Sequence, residues 1–154
     1  MNPAGNRPVA GPPEVLTQQS GEKELKATVF GYQTPAELLK AKGIVPLCRS
    51  DIVYSTVHVL KRGGENNLHA HTAQDGIWIV LRGRAKFYGR DDVLLAELGP
   101  LQGIHIPRGF YYWFESASPE LLELLQVEAI DKSIESRRLD ATPRKDPAKH
   151  VQEF

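Results

Sequence analysis

Short stretches in which apolar residues alternate with polar ones recur along the middle of the chain, separated by Gly, Pro and Asp. Alternation with a period of two is typical of β-strands. Many short strands with turns between them predict a sandwich or barrel, not a parallel sheet with crossover helices. The predicted strands are residues 44–47, 52–60, 67–71, 77–81, 85–88, 93–98, 103–106, 111–114 and 121–129.

The segment before this series has a different pattern. Residues 1–22 are rich in Pro, Gly and polar side chains, which predicts a flexible arm because so few apolar groups cannot offset the entropy of ordering. Residues 24–32 alternate and predict one more strand. Residues 34–37 read Thr-Pro-Ala-Glu, a capping box with Pro at the first helical position, and predict a short helix that ends at Gly43.

The segment after the series is polar and also carries prolines. Residues 131–139 predict a short helix, and residues 140–154, with mixed charges, predict an exposed tail. Residues 23–139 are therefore expected to form a single domain. A length of 154 residues and a hydrophobic fraction of 41% agree with one globular domain.

Charge and cysteine content narrow the classes of partner. Nineteen basic and nineteen acidic residues cancel, so nothing predicts binding to nucleic acid or to an anionic membrane, and a small molecule is the expected partner. Cys48 is a lone cysteine and cannot form an internal disulfide. The chain has no apolar run long enough to span a bilayer and no leader-like start, which favours the cytoplasm.

The densest chemistry lies between Gly63 and Gly83, where His69 and His71 precede a polar turn and an apolar run. Residues two apart on a strand point to the same side, so both imidazoles are expected on one face. This arrangement indicates a functional site. The alternative is a polar strand end that carries two exposed histidines.

The motif resembles the first signature of the cupin superfamily, whose members are small antiparallel β-barrels. The signature's Gly, two His and closing Gly are matched by Gly63, His69, His71 and Gly83. Its Glu is replaced, and the position falls on Gly76 or, with the shorter spacing, on Asp75. The resemblance covers residues 44–130 and implies an all-β, antiparallel jelly-roll β-barrel with one short N-terminal helix and flexible termini.

The second cupin signature is matched by Pro107 and Gly109, while Tyr112 stands in place of its His and Ser116 in place of its Asn. In the family the residue at position 112 points at the metal or the substrate. Tyr112 is therefore a candidate general acid, weak metal ligand or hydrogen-bond donor to a ligand. The alternative is an aromatic ring that fills the barrel.

Strand parity predicts which side chains face the interior. If the His pair faces inward, Trp78 and Val80 share one face of the following strand, and Ile77, Ile79 and Leu81 share the other. Trp78 is then either a wall of the binding site or part of the core. Because both faces are apolar, the outer one is expected to be covered by a second subunit or by a terminal arm, and we predict a homodimer formed by sheet packing.

The expected site combines these positions with nearby aromatic and ionisable residues. The catalytic candidates are His69, His71, Tyr112 and His105, and the substrate-binding candidates are Trp78, His58, Phe114 and Arg82. Cupins commonly hold a metal ion with three His and one Glu. The resemblance thus implies a possible divalent ion (Zn, Mn, Ni or Fe) held here by His69, His71 and Asp75.

Three functions are compatible with these residues. His-Ala-His followed by Gln74 is similar to the sugar-nucleotide ketoisomerase branch of the cupins, which implies an isomerase or epimerase acting on a carbohydrate or similar polar metabolite. His and Tyr side chains can supply the acid and base that proton transfer beside a carbonyl needs. The alternatives are a metal-dependent dioxygenase or isomerase, and a non-catalytic ligand-binding or sensing barrel.

Overall fold

A computed structural model describes residues 15–154 of the chain, and these residues divide into two units, residues 15–35 and residues 36–154. The first unit is a β-hairpin in which β1 (Val15–Ser20) pairs with β2 (Lys23–Thr28) in antiparallel register. Gly21 has a φ of +63° in the turn, a conformation that glycine adopts without strain. The predicted arm of residues 1–22 therefore contains a strand from Val15, and residues 1–14 lie outside the described part.

Within the second unit, strands make up most of the secondary structure. Their bounds are β3 (Lys42–Arg49), β4 (Val53–Leu60), β5 (His69–His71), β6 (Gln74–Arg82), β7 (Ala85–Tyr88), β8 (Leu94–Leu98), β9 (Gly103–Ile106), β10 (Trp113–Ser116), β11 (Leu122–Ile130), β12 (Arg138–Asp140) and β13 (Val151–Glu153). A 3₁₀ turn covers Arg90–Asp92, and one α-helix, α1, covers Pro147–His150. The strands at 85–88 and 103–106 have the bounds that the sequence predicts.

The strands of the second unit form one large sheet and two smaller ones. The large sheet has the order β13-β3-β4-β11-β6-β9, and the smaller sheets have the orders β10-β7-β8 and β12-β5. Neighbouring strands are antiparallel except for β13, which lies parallel to β3. The expectation of a purely antiparallel sheet is therefore wrong at this edge. The sheets are mixed.

The predicted N-terminal helix is absent from residues 34–42, and the α-helix of the described chain lies near its other end. Long-range partners occupy the backbone groups that a helix would use. The Leu38 carbonyl accepts a hydrogen bond from Lys61 Nζ, and the Leu39 amide donates to Gln152 Oε1 at 2.7 Å. Tertiary contacts thus override the local capping signal.

The predictions for the segment after β11 also need correction. Residues 131–139 contain no helix, and Arg138–Asp140 forms β12, which pairs with β5. The predicted exposed tail, residues 140–154, contains α1 and β13. Asp146 caps α1 by accepting a hydrogen bond from the Ala148 amide at 3.0 Å. β13 pairs with β3, so its backbone groups form strand hydrogen bonds that the sequence pattern does not predict.

The core of the second unit consists of aliphatic and aromatic side chains from several strands. The largest buried ones are Trp78, Phe87, Phe114, Leu60, Leu122 and Leu124. Along β6, Trp78 and Val80 are buried whereas Ile77 is 45% exposed, which is the alternation that parity predicts. No helix among residues 15–154 has the length and hydropathy needed to cross a membrane.

Candidate functional site

A cavity of about 190 Å³ opens in the second unit, lined by side chains of β3, β4, β5, β6, β11 and β12. The loop of residues 63–67 and the segment from Arg144 to Val151 complete its wall. Its size suits a small metabolite, since sites for drug-sized molecules begin at about 300 Å³. Both apolar aromatic surface and ionisable groups face the interior.

His69 and His71 lie side by side in this cavity because both point to the same side of β5. Their ring centroids are 4.9 Å apart in an edge-to-face arrangement. Nδ1 of His69 lies 2.7 Å from the carbonyl oxygen of Asn67. A carbonyl only accepts hydrogen bonds, so Nδ1 carries the proton and Nε2 keeps its lone pair.

Both imidazoles are uncharged near neutral pH. Burial, followed by the positive charge of Arg138, lowers the pKa of His69 to about 3. The same two causes lower the pKa of His71 to about 4, although Asp140 opposes them. A buried imidazole loses hydration that its charged form needs, and a nearby cation adds repulsion. The pair can therefore accept protons but does not carry them in the free protein.

Main-chain pairing with His69 holds Tyr112 against the His pair. The His69 N–H donates to the Tyr112 carbonyl oxygen at 3.1 Å, and the Tyr112 N–H donates to the His69 carbonyl oxygen at 3.0 Å. Its ring lies 4.8 Å from the His69 ring, and the side chain is 3% exposed. Burial raises the pKa of the Tyr112 hydroxyl above its ordinary range. The phenol therefore stays protonated and can act as a hydrogen-bond donor.

His58 and Trp78 form the floor of the cavity, with ring centroids 4.9 Å apart. Nδ1 of His58 is buried without a hydrogen-bond partner among the described residues, whereas the indole of Trp78 interacts with the Tyr112 hydroxyl. Burial and the neighbouring Lys42 hold the pKa of His58 well below its usual value. An unpaired buried polar atom costs free energy, so Nδ1 of His58 is suited to bind a ligand.

Three predicted site residues lie elsewhere. His105 stands opposite Ile77 in the β6–β9 ladder and therefore shares its outward direction. Its Nε2 is 3.0 Å from Oδ2 of Asp75, outside the cavity. Arg82 is half exposed and lies 3.7 Å from Glu120. The expected convergence of His105 with His69, His71 and Tyr112 is therefore not observed.

Phe114 lies near the cavity but belongs to the core. Its side chain is fully buried and packs against Trp78, with ring centroids 4.8 Å apart. Phe114 reaches the cavity indirectly, through Lys42, whose ammonium group lies 5.3 Å from the centre of the Phe114 ring. Phe114 thus supports the cavity from behind and does not line it.

Sequence reasoning missed the positively charged side of the cavity. Lys42, Arg138, Arg144 and Lys145 all line it. Lys42 begins β3, where a helix was expected to end, and the other three fall in segments predicted as a helix or a tail. No local pattern marks them, because strand pairing over long sequence distances brings them to the cavity.

The cavity carries an excess of positive charge. Arg138 bonds to Asp140 at 2.9 Å, and Lys145 bonds to Glu65 at 2.7 Å. Lys42 and Arg144 have no carboxylate within 4 Å in residues 15–154. Glu128 also lines the cavity, but burial raises its pKa, which weakens its compensating charge.

The donor set does not fit a tightly bound divalent ion. Across residues 15–154, no group of three or more His, Cys, Asp or Glu side chains is arranged to hold a metal ion. Asp75 is turned away to His105 and Arg108, which leaves His69 and His71 as a pair. Arg138 adds repulsion for any cation beside them. A structural or catalytic ion normally requires at least three protein ligands.

Comparisons with known proteins place the fold. No protein-family model matches the chain, and no curated protein matches it. Among solved structures, the cupin domain of Cnp3 from Schizosaccharomyces pombe aligns with a TM-score of 0.65 at 17% identity, covering 79% of this chain and 89% of that one.

Two further solved structures agree with this placement. An uncharacterised conserved protein with a double-stranded β-helix domain from Klebsiella pneumoniae aligns with a TM-score of 0.56 at 15% identity, covering 74% of this chain and 87% of that one. An RmlC-like cupin family protein from Methanocaldococcus jannaschii aligns with a TM-score of 0.54 at 19% identity, covering 66% of this chain and 89% of that one. Together with the two signatures in the sequence, these alignments show that the protein has the double-stranded β-helix fold of the cupins.

Proposed function

We propose that the protein is an enzyme of the isomerase or epimerase type that binds a small anionic metabolite and moves its protons with the His pair. The observation that carries the proposal is the juxtaposition in one cavity of two uncharged imidazoles, one buried and one partly buried, with basic side chains that lack carboxylate partners. Sugar acids and sugar phosphates have the size and charge that this arrangement suits. These ligands fall within the class that the sequence predicts.

The charge of the cavity supports an anionic ligand. Lys42 and Arg144 are unpaired among the described residues, and Arg138 and Lys145 keep donors beyond those used in their ion pairs. Interactions between charges strengthen in a partly desolvated cavity, because the effective dielectric constant falls well below that of water. A carboxylate or phosphate bound there relieves the repulsion among the four cations.

Anion binding also activates the His pair as a base. In the free protein, the charge of Arg138 contributes to the low pKa values of His69 and His71. A bound anion offsets that part of the shift and raises both pKa values, which makes the imidazoles better bases. Nε2 of His69 has a free lone pair, so it is positioned to accept a proton from a carbon next to a carbonyl.

The Tyr112 hydroxyl acts as the hydrogen-bond donor to the carbonyl oxygen of the ligand, while the His pair removes the proton. Proton removal beside a carbonyl places negative charge on the carbonyl oxygen, and a donor that stays protonated stabilises that charge. Tyr112 lies against His69 and is buried, which favours this role. Loss of the donor typically reduces turnover by about 10²-fold or more.

A non-catalytic binding or sensing function is the second candidate. The pKa of about 3 for His69 favours it, because so weak a base is a poor proton acceptor unless the ligand changes its surroundings. The two candidates share the ligand and differ in the chemistry. An experiment that detects proton transfer separates them.

The test is solvent deuterium exchange into glucuronate and glucose 6-phosphate, which are small enough for the cavity, followed by NMR with the purified protein. We expect exchange at a carbon beside a carbonyl or anomeric centre of at least one probe, and loss of at least 100-fold in His71→Asn. His105→Asn is the matched control, since His105 lies outside the cavity, and it should retain the wild-type rate. Binding without exchange in the wild-type protein would support the sensing function instead.

Metal analysis completes this test. If the isomerase proposal holds, exchange should persist after chelation and dialysis, and metal content should not correlate with the rate. Activity that is lost on chelation and restored by Zn, Mn, Ni or Fe would overturn the metal-free part of the proposal. In that case the metal-dependent alternative would be preferred.

A further inference from the structure

Lys42 is partly buried in the cavity and lacks the carboxylate that usually accompanies a lysine in such a position. It begins β3 opposite Leu60 of β4, and this register directs the side chain toward the cavity. Its ammonium nitrogen lies 5.3 Å from the centre of the Phe114 ring, and no ion pair to it is found within residues 15–154. A lysine is rarely placed in such surroundings for stability alone.

The groups that face Lys42 are positive or neutral. Arg138, Arg144 and Lys145 repel its charge, and His58 beside it is uncharged. Burial, followed by these cations, lowers the pKa of Lys42 to about 7. Glu128 is the other carboxyl group of the cavity besides Glu65, which pairs with Lys145. Glu128 is partly buried, which raises its pKa. In the free protein, Lys42 is therefore an unprotonated amine at neutral pH far more often than an ordinary lysine.

We propose that Lys42 is a nucleophile that forms an imine with the carbonyl carbon of a small 2-oxo acid bound in the cavity. The inference rests on the proposed anionic ligand and adds its carbonyl chemistry. A lysine that is desolvated and surrounded by cations is one of the established ways to activate an amine.

The 2-oxo acid class follows from the contents of the cavity. A carboxylate is attracted to Arg144 and Arg138, and the carbonyl one bond away must then lie close to the same group of cations, which includes Lys42. A volume of about 190 Å³ limits the ligand to a few carbon atoms or a short sugar acid. The unpaired Nδ1 of His58 is suited to contact its polar atoms.

The reaction is balanced without any other reactant. The lone pair on Nζ of Lys42 attacks the carbonyl carbon, a C–N bond forms, and the π electrons move to oxygen. One amine proton passes to that oxygen and gives a carbinolamine. The C–O bond then breaks, and oxygen leaves as water with the second amine hydrogen, so a neutral imine remains. No oxidation or reduction takes place, and hydrolysis reverses the sequence.

The experiment is reductive trapping with pyruvate as the probe. The protein is incubated with pyruvate and sodium cyanoborohydride at pH 7, and the products are analysed by intact mass and peptide mapping. We expect one adduct per chain, located on Lys42, and at least tenfold faster trapping there than at any other lysine. In Lys42→Met this adduct should be absent, while Lys132→Met, which removes an exposed lysine paired with Asp51, should be trapped like the wild type.

Three outcomes would overturn the inference: no adduct, adducts spread evenly over many lysines, or an unchanged yield in Lys42→Met. A melting curve of each variant shows whether Lys42→Met is folded. If it is not, reductive methylation of the wild-type protein with formaldehyde decides, since Lys42 should react first at pH 7. If deuterium exchange is observed but trapping fails, the proposed isomerase function stands and the imine is excluded. If trapping is observed without exchange, the imine stands and the proposed isomerase function is excluded.

Discussion

Replacing Lys42 with Met is expected to stabilise the protein, most strongly at low and neutral pH. Met has a similar length and removes the charge whose burial and repulsion lower the pKa of Lys42 from 10.5 to about 7. The unfolded chain keeps the ordinary pKa, so between pH 7 and pH 10.5 it binds more protons than the folded state. The stability of the wild type therefore rises with pH across this window and is lost as pH falls from 10.5 toward 7.

The magnitude follows from linkage. At about 1.4 kcal/mol per pKa unit, a shift of this size lowers the free energy of unfolding of the wild type by about 4 kcal/mol at pH 7 and about 2 kcal/mol at pH 9. Loss of the cation–π contact with Phe114 removes only about 0.5–2 kcal/mol. Lys42→Met should therefore be more stable than the wild type by several kcal/mol at pH 7, and this gain should shrink by about 2 kcal/mol at pH 9.

The assay is urea unfolding of both proteins at pH 7, 8 and 9, at one protein concentration, followed by the fluorescence of the two tryptophans, Trp78 and Trp113. Lys132→Met is the control and should change stability by less than about 0.5 kcal/mol at every pH, because exposed ion pairs contribute little. A difference between Lys42→Met and wild type that does not depend on pH would refute the reasoning. So would a variant that is less stable at pH 7.

Two further predictions concern assembly and packing. We propose that two chains pair through the outer face of β6, where Ile77 is 45% exposed beside Ile79 and Leu81. Ile79→Lys should then convert the homodimer to a monomer in analytical ultracentrifugation. A wild-type protein that is monomeric at micromolar concentration would contradict this proposal. Gly103→Ala should lower stability by about 1–3 kcal/mol in thermal or urea unfolding, because the added Cβ would lie 2.5 Å from the Trp78 carbonyl oxygen. An unchanged midpoint would show that β9 can move away.

The sequence predicts those parts of the fold that depend on local alternation. Trp78 and Ile77 take opposite faces of β6 because side chains on a strand alternate, whatever the strand packs against. The same rule places His69 and His71 together on β5. Gly83, with a φ of +80°, ends β6 at a turn where its conformation is required.

The sequence fails where distant partners decide the outcome. His105 obeys alternation, but its direction depends on its pairing with Ile77, which the sequence alone does not reveal. The capping box at residues 34–37 is a genuine local signal, yet Gln152 and Lys61 bind the backbone just beyond it. Lys42 and Arg144 could not be assigned to the cavity, because their positions depend on pairing between strands far apart in the chain.

The parallel pairing of β13 with β3 also has a consequence for the order in which the protein folds. The hydrogen bond between Leu39 and Gln152 spans 113 residues, and contacts between such distant parts of a chain form slowly because closing a long loop costs entropy. Until β13 arrives, one edge of β3 has open hydrogen-bonding groups that can pair with a strand of another chain. The yield of refolding should therefore decrease as protein concentration rises, and the wall of the cavity near Val151 should be among the last parts to form.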